Sequence, residues 1–246
     1  MNIKEQEWIE APDGWGNAKE EEKEALFDLF GSDDKSETFT YDIQLDKDNC
    51  RRRRITLSGY QLDSDETDHS TGVTLWQAAP RLADFLKQNS DILCKGKSVL
   101  ELGAGLGLCG TVACYIGAKS VIMTDGDTKT LKGMRANVKH NCDNDVGDRI
   151  QCKQLLWGSP HMNTFLEENG QYDTIIAADV IYTKDSIVPL MQTVACLLEK
   201  SGQFVLSRYT KWHSIEDETV IELAKQQGLE CTQPSKGIFI FRHSNT

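Results

Sequence analysis

One segment constrains this chain more than any other. Ser98 to Leu102, S-V-L-E-L, reads as a short apolar strand, and it runs straight into Gly103-Ala104-Gly105-Leu106-Gly107 and then a helical pattern over 107–117. Glycines at the end of a strand let the backbone turn tightly and approach a ligand, and the carboxyl end of a parallel strand borders a binding crevice. The alternation continues. Strands are predicted at 120–125, 149–155, 172–179 and 203–209, helices at 128–141, 185–199 and 215–227, and a closing hairpin of 230–232 with 237–241, with a variable segment between 155 and 172. Strands alternating with helices of this length predict an α/β fold whose parallel sheet is covered on both faces.

Upstream, Leu75, Ala78, Ala79, Leu82, Phe85 and Leu86 form a helical stripe that must admit Pro80 in its first turn or kink there. Residues 38–62 alternate and are rich in β-branched side chains around D-K-D-N-C-R-R-R-R, which predicts a β-hairpin. The Arg51–Arg54 cluster reads as a solvated hairpin tip offsetting nearby acid, with a docking patch for an acidic partner as the alternative. Residues 1–37 hold 12 acidic and 4 basic side chains, so −8 of the formal net charge of −11 lies there. Only one helix, Asn17 to Phe30, is legible in that stretch. The expected organisation is an acidic extension over 1–37 and one domain over 38–246, its hairpin at 38–62 and its α/β core at 71–246.

The 39% hydrophobic and 26% charged composition is that of an ordinary globular protein. No apolar run reaches the roughly 18 residues of a membrane span, and no export or organelle signal is readable, which predicts no membrane partner and a cytoplasmic location, extending to the nucleus. An acidic chain gains nothing from general phosphate attraction, so nucleic acid is disfavoured as a partner. The 8 cysteines lie singly and without metal-ligand spacing, so they are expected to be reduced thiols and no metal is expected.

Two cofactor classes compete for the glycine-rich turn. A dinucleotide needs its third glycine three residues after the second, where this chain has Leu108. Glu101 beside the turn would repel a pyrophosphate, whereas a ligand carrying an ammonium and a sulfonium would welcome it. S-adenosylmethionine is such a ligand. Asp125, ending the second parallel strand, stands where an acid takes ribose hydroxyls, and Asp127 more naturally caps the next helix.

With these motifs in view the sequence resembles the class I, seven-strand Rossmann-like methyltransferases, and more narrowly the protein-lysine methyltransferases of methyltransferase family 16. The resemblance rests on T-G-V-T-L-W at 71–76, V-L-E-L-G-A-G-L-G at 99–107, L-L-W-G at 155–158 and A-A-D-V-I-Y at 177–182. It implies S-adenosylmethionine as cofactor, with S-adenosylhomocysteine as its product. The implied contacts are Trp76 beside the methionine part, Glu101, Gly103, Ala104 and Gly105 at the turn, Asp125 at the ribose, Trp157 near the adenine, and Ala178 lining the site. Asp179 and Tyr182 take the catalytic roles of the D-x-x-Y motif. Independently, both follow a fully apolar strand and so emerge on the sheet edge shared with Gly103 and Asp125. Enzymes that methylate base amines carry two prolines where this chain has Val180 and Ile181, which disfavours a base as substrate.

The function implied is methylation of a lysine ε-amine on a protein substrate by a monomeric enzyme. The alternatives are a methyltransferase for another side chain or a small metabolite, a partner-binding module without activity, and an NAD oxidoreductase.

Overall fold

A computed structural model describes residues 35–45, 52–158, 160, 162–209 and 215–244. The expected helix at Asn17 to Phe30, Arg51 and most of the acidic extension lie outside the described residues.

The hairpin pairs β1 (Ser36–Gln44) with β2 (Arg52–Tyr60) in antiparallel register, Phe39 opposite Leu57 and Tyr41 opposite Ile55. After the short α1 (Asp65–His69) and a 3₁₀ turn come α2 (Ala78–Gln88) and the single turn α3 (Ser90–Leu93). Pro80 sits within the first turn of α2, where its missing N–H costs nothing, and Leu75 lies ahead of the helix. Then follow β3 (Ser98–Leu102), α4 (Leu108–Tyr115), β4 (Ser120–Asp125), α5 (Thr128–Asn141), α6 (Asn144–Gly147), β5 (Ile150–Gln154), α7 (Met162–Asn169), β6 (Tyr172–Ala178), α8 (Ile187–Leu197), β7 (Leu198–Ser207), α9 (Asp217–Gln226), β8 (Leu229–Ser235) and β9 (Ile238–His243). The segment expected to be variable thus contains α7, and β7 starts five residues before its predicted position, directly out of α8.

Seven strands form one sheet in the order β5-β4-β3-β6-β7-β9-β8, parallel except for β9, which runs antiparallel to both neighbours. Period-two alternation sorts the side chains. Leu100, Leu102, Ile175, Ala177, Phe204, Leu206, Phe239 and Phe241 face a core built with α7, α8 and α9. Val99, Val121, Met123, Ile176, Val205, Ile238 and Ile240 face α2, α4 and α5. Burial on both faces is why these strands read as near-continuous apolar runs. The order reverses between β3 and β6, so the crevice for a ligand opens at their carboxyl ends.

The N-terminal hairpin is built into the domain. Ile43, Ile55 and Leu57 pack with Ala83 of α2 and Leu108 and Val112 of α4. The free edge of β2 is covered by two asparagines of α5. Asn141 accepts from Thr56 N and donates to Thr56 O, both at 2.7 Å, and Asn137 makes the same pair with Ser58 at 2.9 and 3.2 Å. A side-chain amide thereby does for the strand edge what another strand would. Two of the arginines near the tip have partners within the domain. Arg54 forks onto Asp42, and Arg53 donates to Asn141 O while its guanidinium stacks 5.1 Å from the Tyr115 ring centre.

Among the described residues no helix is long and apolar enough to cross a membrane, and seven free cysteines are present.

Candidate active site

A cavity of about 460 Å³ opens at the switch point, within the size range of small-molecule sites. Its floor is the carboxyl end of the sheet: Gly103 and Gly105 after β3, Asp125 ending β4, and Ala178, Asp179 and Val180 at the end of β6. Leu155 to Trp157, after β5, form one wall, and a strap running from His69 to Gly72 and on to Trp76 forms another.

The turn after β3 needs its glycines for conformational reasons. Gly103 and Gly105 have φ of 66° and 55°, a region most side chains avoid. The Gly105 amide donates to Asp125 Oδ2 at 3.2 Å, and the Asp127 amide donates to Oδ1 at 3.1 Å. Burial pushes the Asp125 carboxyl above the usual carboxylate range, and these amide bonds partly offset the push. Asp127 behaves differently. It caps α5 by accepting from the amides of Lys129 and Thr130, and it also accepts from the Ser70 hydroxyl at 2.5 Å. Burial raises its carboxyl, but bonds from Ser70, Lys129 and Thr130 outweigh that and hold it below the usual range.

Asp179 is the one non-glycine residue among the described residues with positive φ, 52°. Its carboxylate joins three elements. Oδ2 accepts from the Ala78 amide at the start of α2, 3.1 Å away, and Oδ1 accepts from the Tyr209 amide beyond β7, 2.6 Å away. Its own amide donates to Ser207 O at 2.9 Å. A residue held in a sparsely populated conformation by such bonds is typical of functional corners. Each oxygen keeps a second lone pair for a ligand. Tyr182, three residues on, is 54% exposed at the rim. Trp157 is partly buried against the main core, and Trp76 is fixed by its indole N–H donating to Thr71 O at 2.7 Å.

Eight of the ten sequence-predicted site residues therefore meet in one cavity: Trp76, Gly103, Gly105, Asp125, Trp157, Ala178, Asp179 and Tyr182. Glu101 and Ala104 do not line it. Glu101 lies on the β3 face covered by α4, is 3% exposed, and accepts from the Gly110 amide at 2.7 Å. Burial pushes its pKa up to about 8, so near neutrality the side chain is largely the neutral acid. Strand alternation turns this side chain under the helix rather than into the cavity wall. The Ala104 methyl packs into the same face of the core, and its amide donates to Thr124 O at 2.9 Å. Conversely, His69, Ser70, Thr71 and Gly72 line the cavity although none of them was given a role in the sequence. The signal for Thr71 and Gly72 lay in T-G-V-T-L-W itself, of which only the tryptophan was given a role.

Comparison with known proteins agrees with this architecture. A family model described as lysine methyltransferase matches residues 58–227. The protein N-lysine methyltransferase METTL21A of Xenopus tropicalis is 32% identical over 67% of this chain and 72% of that protein, and its Danio rerio counterpart is 33% identical over 70% and 77%. The protein N-terminal and lysine N-methyltransferase of Aspergillus fumigatus is 29% identical over 66% of each chain. Among solved structures, a chain assigned as a methyltransferase and complexed with S-adenosylhomocysteine superposes with a TM-score of 0.55 at 12% identity, covering 76% of this chain and 53% of that one. At that identity the likeness is one of fold: a Rossmann-like methyltransferase sheet. The matched span takes in the end of the second hairpin strand, the glycine-rich turn, the Trp157 wall and the Asp179 corner, and on it the chain belongs to the lysine methyltransferase family.

Proposed function

We propose that this protein transfers a methyl group from S-adenosylmethionine to lysine ε-amines of a protein substrate. The observation that carries this reading is the charge of the cavity. Asp125, Asp127 and Asp179 line it, and none of the described residues that line it is Lys or Arg. Such a lining suits a ligand bearing ammonium and sulfonium groups and a substrate arriving as a cation, and it is a poor host for the pyrophosphate of a dinucleotide.

The residues present fit the cofactor. The open backbone at Gly103 and Gly105, with the Trp76 ring, would hold its amino-acid part, Asp125 the ribose hydroxyls, and Trp157 with Leu156 the adenine. When bound, S-adenosylmethionine supplies a methyl group on a sulfonium, which is already a good electrophile. The chain then has to position and dry the acceptor. A lysine must be neutral to attack, and moving it from a pKa of about 10.4 to neutrality at pH 7 costs about 4.6 kcal/mol. Desolvation in a narrow channel reduces that cost. Asp179, fixed by the Ala78 and Tyr209 amides, would orient the amine. Val180 keeps the floor of the channel apolar, and Tyr182 supplies an aromatic wall and a hydroxyl at the rim.

Residues 1–37 act in this reading as an acidic docking extension separable from cofactor binding, and deleting them should leave cofactor affinity unchanged. The enzyme works as a monomer in the cytoplasm, and also in the nucleus, a location its free cysteines support. The test is direct. Incubating the full chain with labelled S-adenosylmethionine and a methylation-depleted lysate should place label on lysine of a discrete protein, and label confined to nucleic acid or small molecules would overturn the assignment.

A further inference from the structure

The chain from Ser70 to Ala78 is tethered to two aspartates that line the cavity. At one end the buried Ser70 hydroxyl donates to Asp127 Oδ2 at 2.5 Å, and at the other the Ala78 amide donates to Asp179 Oδ2 at 3.1 Å. Between these tethers Thr71 O accepts from the Trp76 indole at 2.7 Å, and Gly72 O lies over the glycine-rich turn, 3.3 Å from where a Cβ on Gly105 would stand. The 3₁₀ turn Thr71–Val73 is closed only by Val73 N donating to Ser70 O at a long 3.4 Å. Ser70 stands at the N-cap of that turn, where a serine side chain ordinarily accepts from the turn's own amides. Here it makes no such cap, and the hydroxyl is given to Asp127 instead. The Thr130 hydroxyl reaches the same carboxylate oxygen at 2.9 Å. Burial raises the Asp127 carboxyl, and the bond from Ser70 leads those that outweigh it, so the tether is charge-assisted. The Asp127 amide in turn donates to Asp125, whose other oxygen accepts from the Gly105 amide. One run of bonded groups therefore joins the glycine-rich turn, through Asp125, Asp127 and Ser70, to the segment that holds Trp76.

We propose that Ser70, through its bond to Asp127, is a positioning residue for the cofactor: it sets the strap in advance, so that the amino-acid part of S-adenosylmethionine meets the Trp76 wall already in place. The inference rests on the reading of Trp76 as the wall for that part of the cofactor. Binding to a wall that is already ordered spares the ligand the cost of ordering it. The other end of the strap keeps its own tether, Ala78 to Asp179. Loss of the Ser70 bond therefore weakens cofactor binding and leaves the corner that receives the amine set.

The test pairs calorimetric affinity for S-adenosylhomocysteine with label transfer from S-adenosylmethionine to the protein fraction of a methylation-depleted lysate, both on the full chain. Ser70→Ala should weaken affinity and raise the KM for cofactor by about 10-fold, the scale of a charge-assisted hydrogen bond. At saturating cofactor, kcat should stay within about twofold of the parent, the signature of lost binding rather than lost chemistry. General damage to the fold would not separate the two constants in this way. Ser70→Thr, which keeps the hydroxyl, should recover most of the affinity. Because Ser70 acts through the tryptophan, its removal in a Trp76→Ala background should cost less than about threefold. Parent-like affinity in Ser70→Ala, a kcat that falls along with affinity, or an equal loss with and without the Trp76 ring would overturn the proposal. If Ser70→Ala does not fold, Ser70→Cys, a weaker donor of similar size, decides it by the same readings. Failure of the underlying reading shows elsewhere, as parent-like cofactor affinity in Trp76→Ala alone.

Discussion

Val180 Cγ1 occupies the space that a side chain at Gly103 would need: an ideal Cβ on Gly103 would lie 2.7 Å from it. The glycine-rich turn and the Asp179 corner are thus in direct contact. Even a methyl group at Gly103 must displace Val180, and it must also accept a φ of 66°. Gly103→Ala is expected to destabilise the protein by about 1–2 kcal/mol through the left-handed backbone alone. It should also lower both cofactor affinity and methyl transfer by disturbing Val180. Thermal unfolding with calorimetry on the same sample checks this, and Gly103→Ala combined with Val180→Ala should recover part of the binding.

Glu101 offers a stability test with a definite sign. Its folded pKa of about 8 lies above the ordinary value of 4.5, so the folded state binds the proton more tightly than the unfolded chain. Its contribution is therefore full below about pH 4.5 and is lost as pH rises through about 8. Glu101→Gln retains an acceptor for the Gly110 amide and has no proton to lose. The variant should gain stability relative to the parent between about pH 5 and pH 8, by up to about 4 kcal/mol. Denaturant titration at several pH values measures this, and parallel stability curves for the two proteins would refute it.

Asp125 should control cofactor affinity in a pH-dependent way. Burial raises its pKa, so the carboxylate becomes protonated at higher pH than an ordinary aspartate, and affinity should decline as pH falls through that range. Asp125→Asn should weaken cofactor binding about 10-fold or more at neutral pH, the scale of a charge-assisted hydrogen bond, and should flatten the pH dependence. Calorimetry from mildly acidic to neutral pH would detect both effects.

The glycine-rich turn, Asp125 and the Asp179 corner were legible because each ends a strong apolar strand, and strand ends on one sheet edge must converge. The strap was not, since His69 and Ser70 belong to no periodic pattern and gain their place through a tertiary bond, Ser70 to Asp127. Glu101 falls outside the cavity lining for a complementary reason: nearness in sequence to a ligand loop does not say on which face of the strand a side chain falls. The coverage of β2 by Asn137 and Asn141 likewise depends on a contact between segments about 80 residues apart. The helix α7 lay within a segment whose apolar positions were too few to signal a period, and of its side chains only Phe165 is buried.

Asp179 and Tyr182 should separate by assay. Asparagine tolerates the left-handed conformation at position 179, yet it offers one acceptor oxygen where two backbone amides need acceptors. Asp179→Asn should therefore cost about 1–3 kcal/mol of stability, while transfer falls by about 10² or more from loss of the orienting charge. Tyr182→Phe should be milder than Tyr182→Ala, which opens the channel to water. Cofactor affinity should change little in all three variants, because these groups act on the acceptor side.

The central claim is that the acceptor is a lysine ε-amine and that the Asp179 corner receives it. The most direct measurement is mass spectrometry of acceptor protein after reaction with isotopically labelled S-adenosylmethionine, run in parallel with the parent protein and Asp179→Asn. The expected result is labelled methyl groups on lysine side chains with the parent and a loss of about two orders of magnitude with Asp179→Asn, at equal cofactor binding. Label on histidine, arginine or a small molecule, or equal lysine labelling by both proteins, would contradict it.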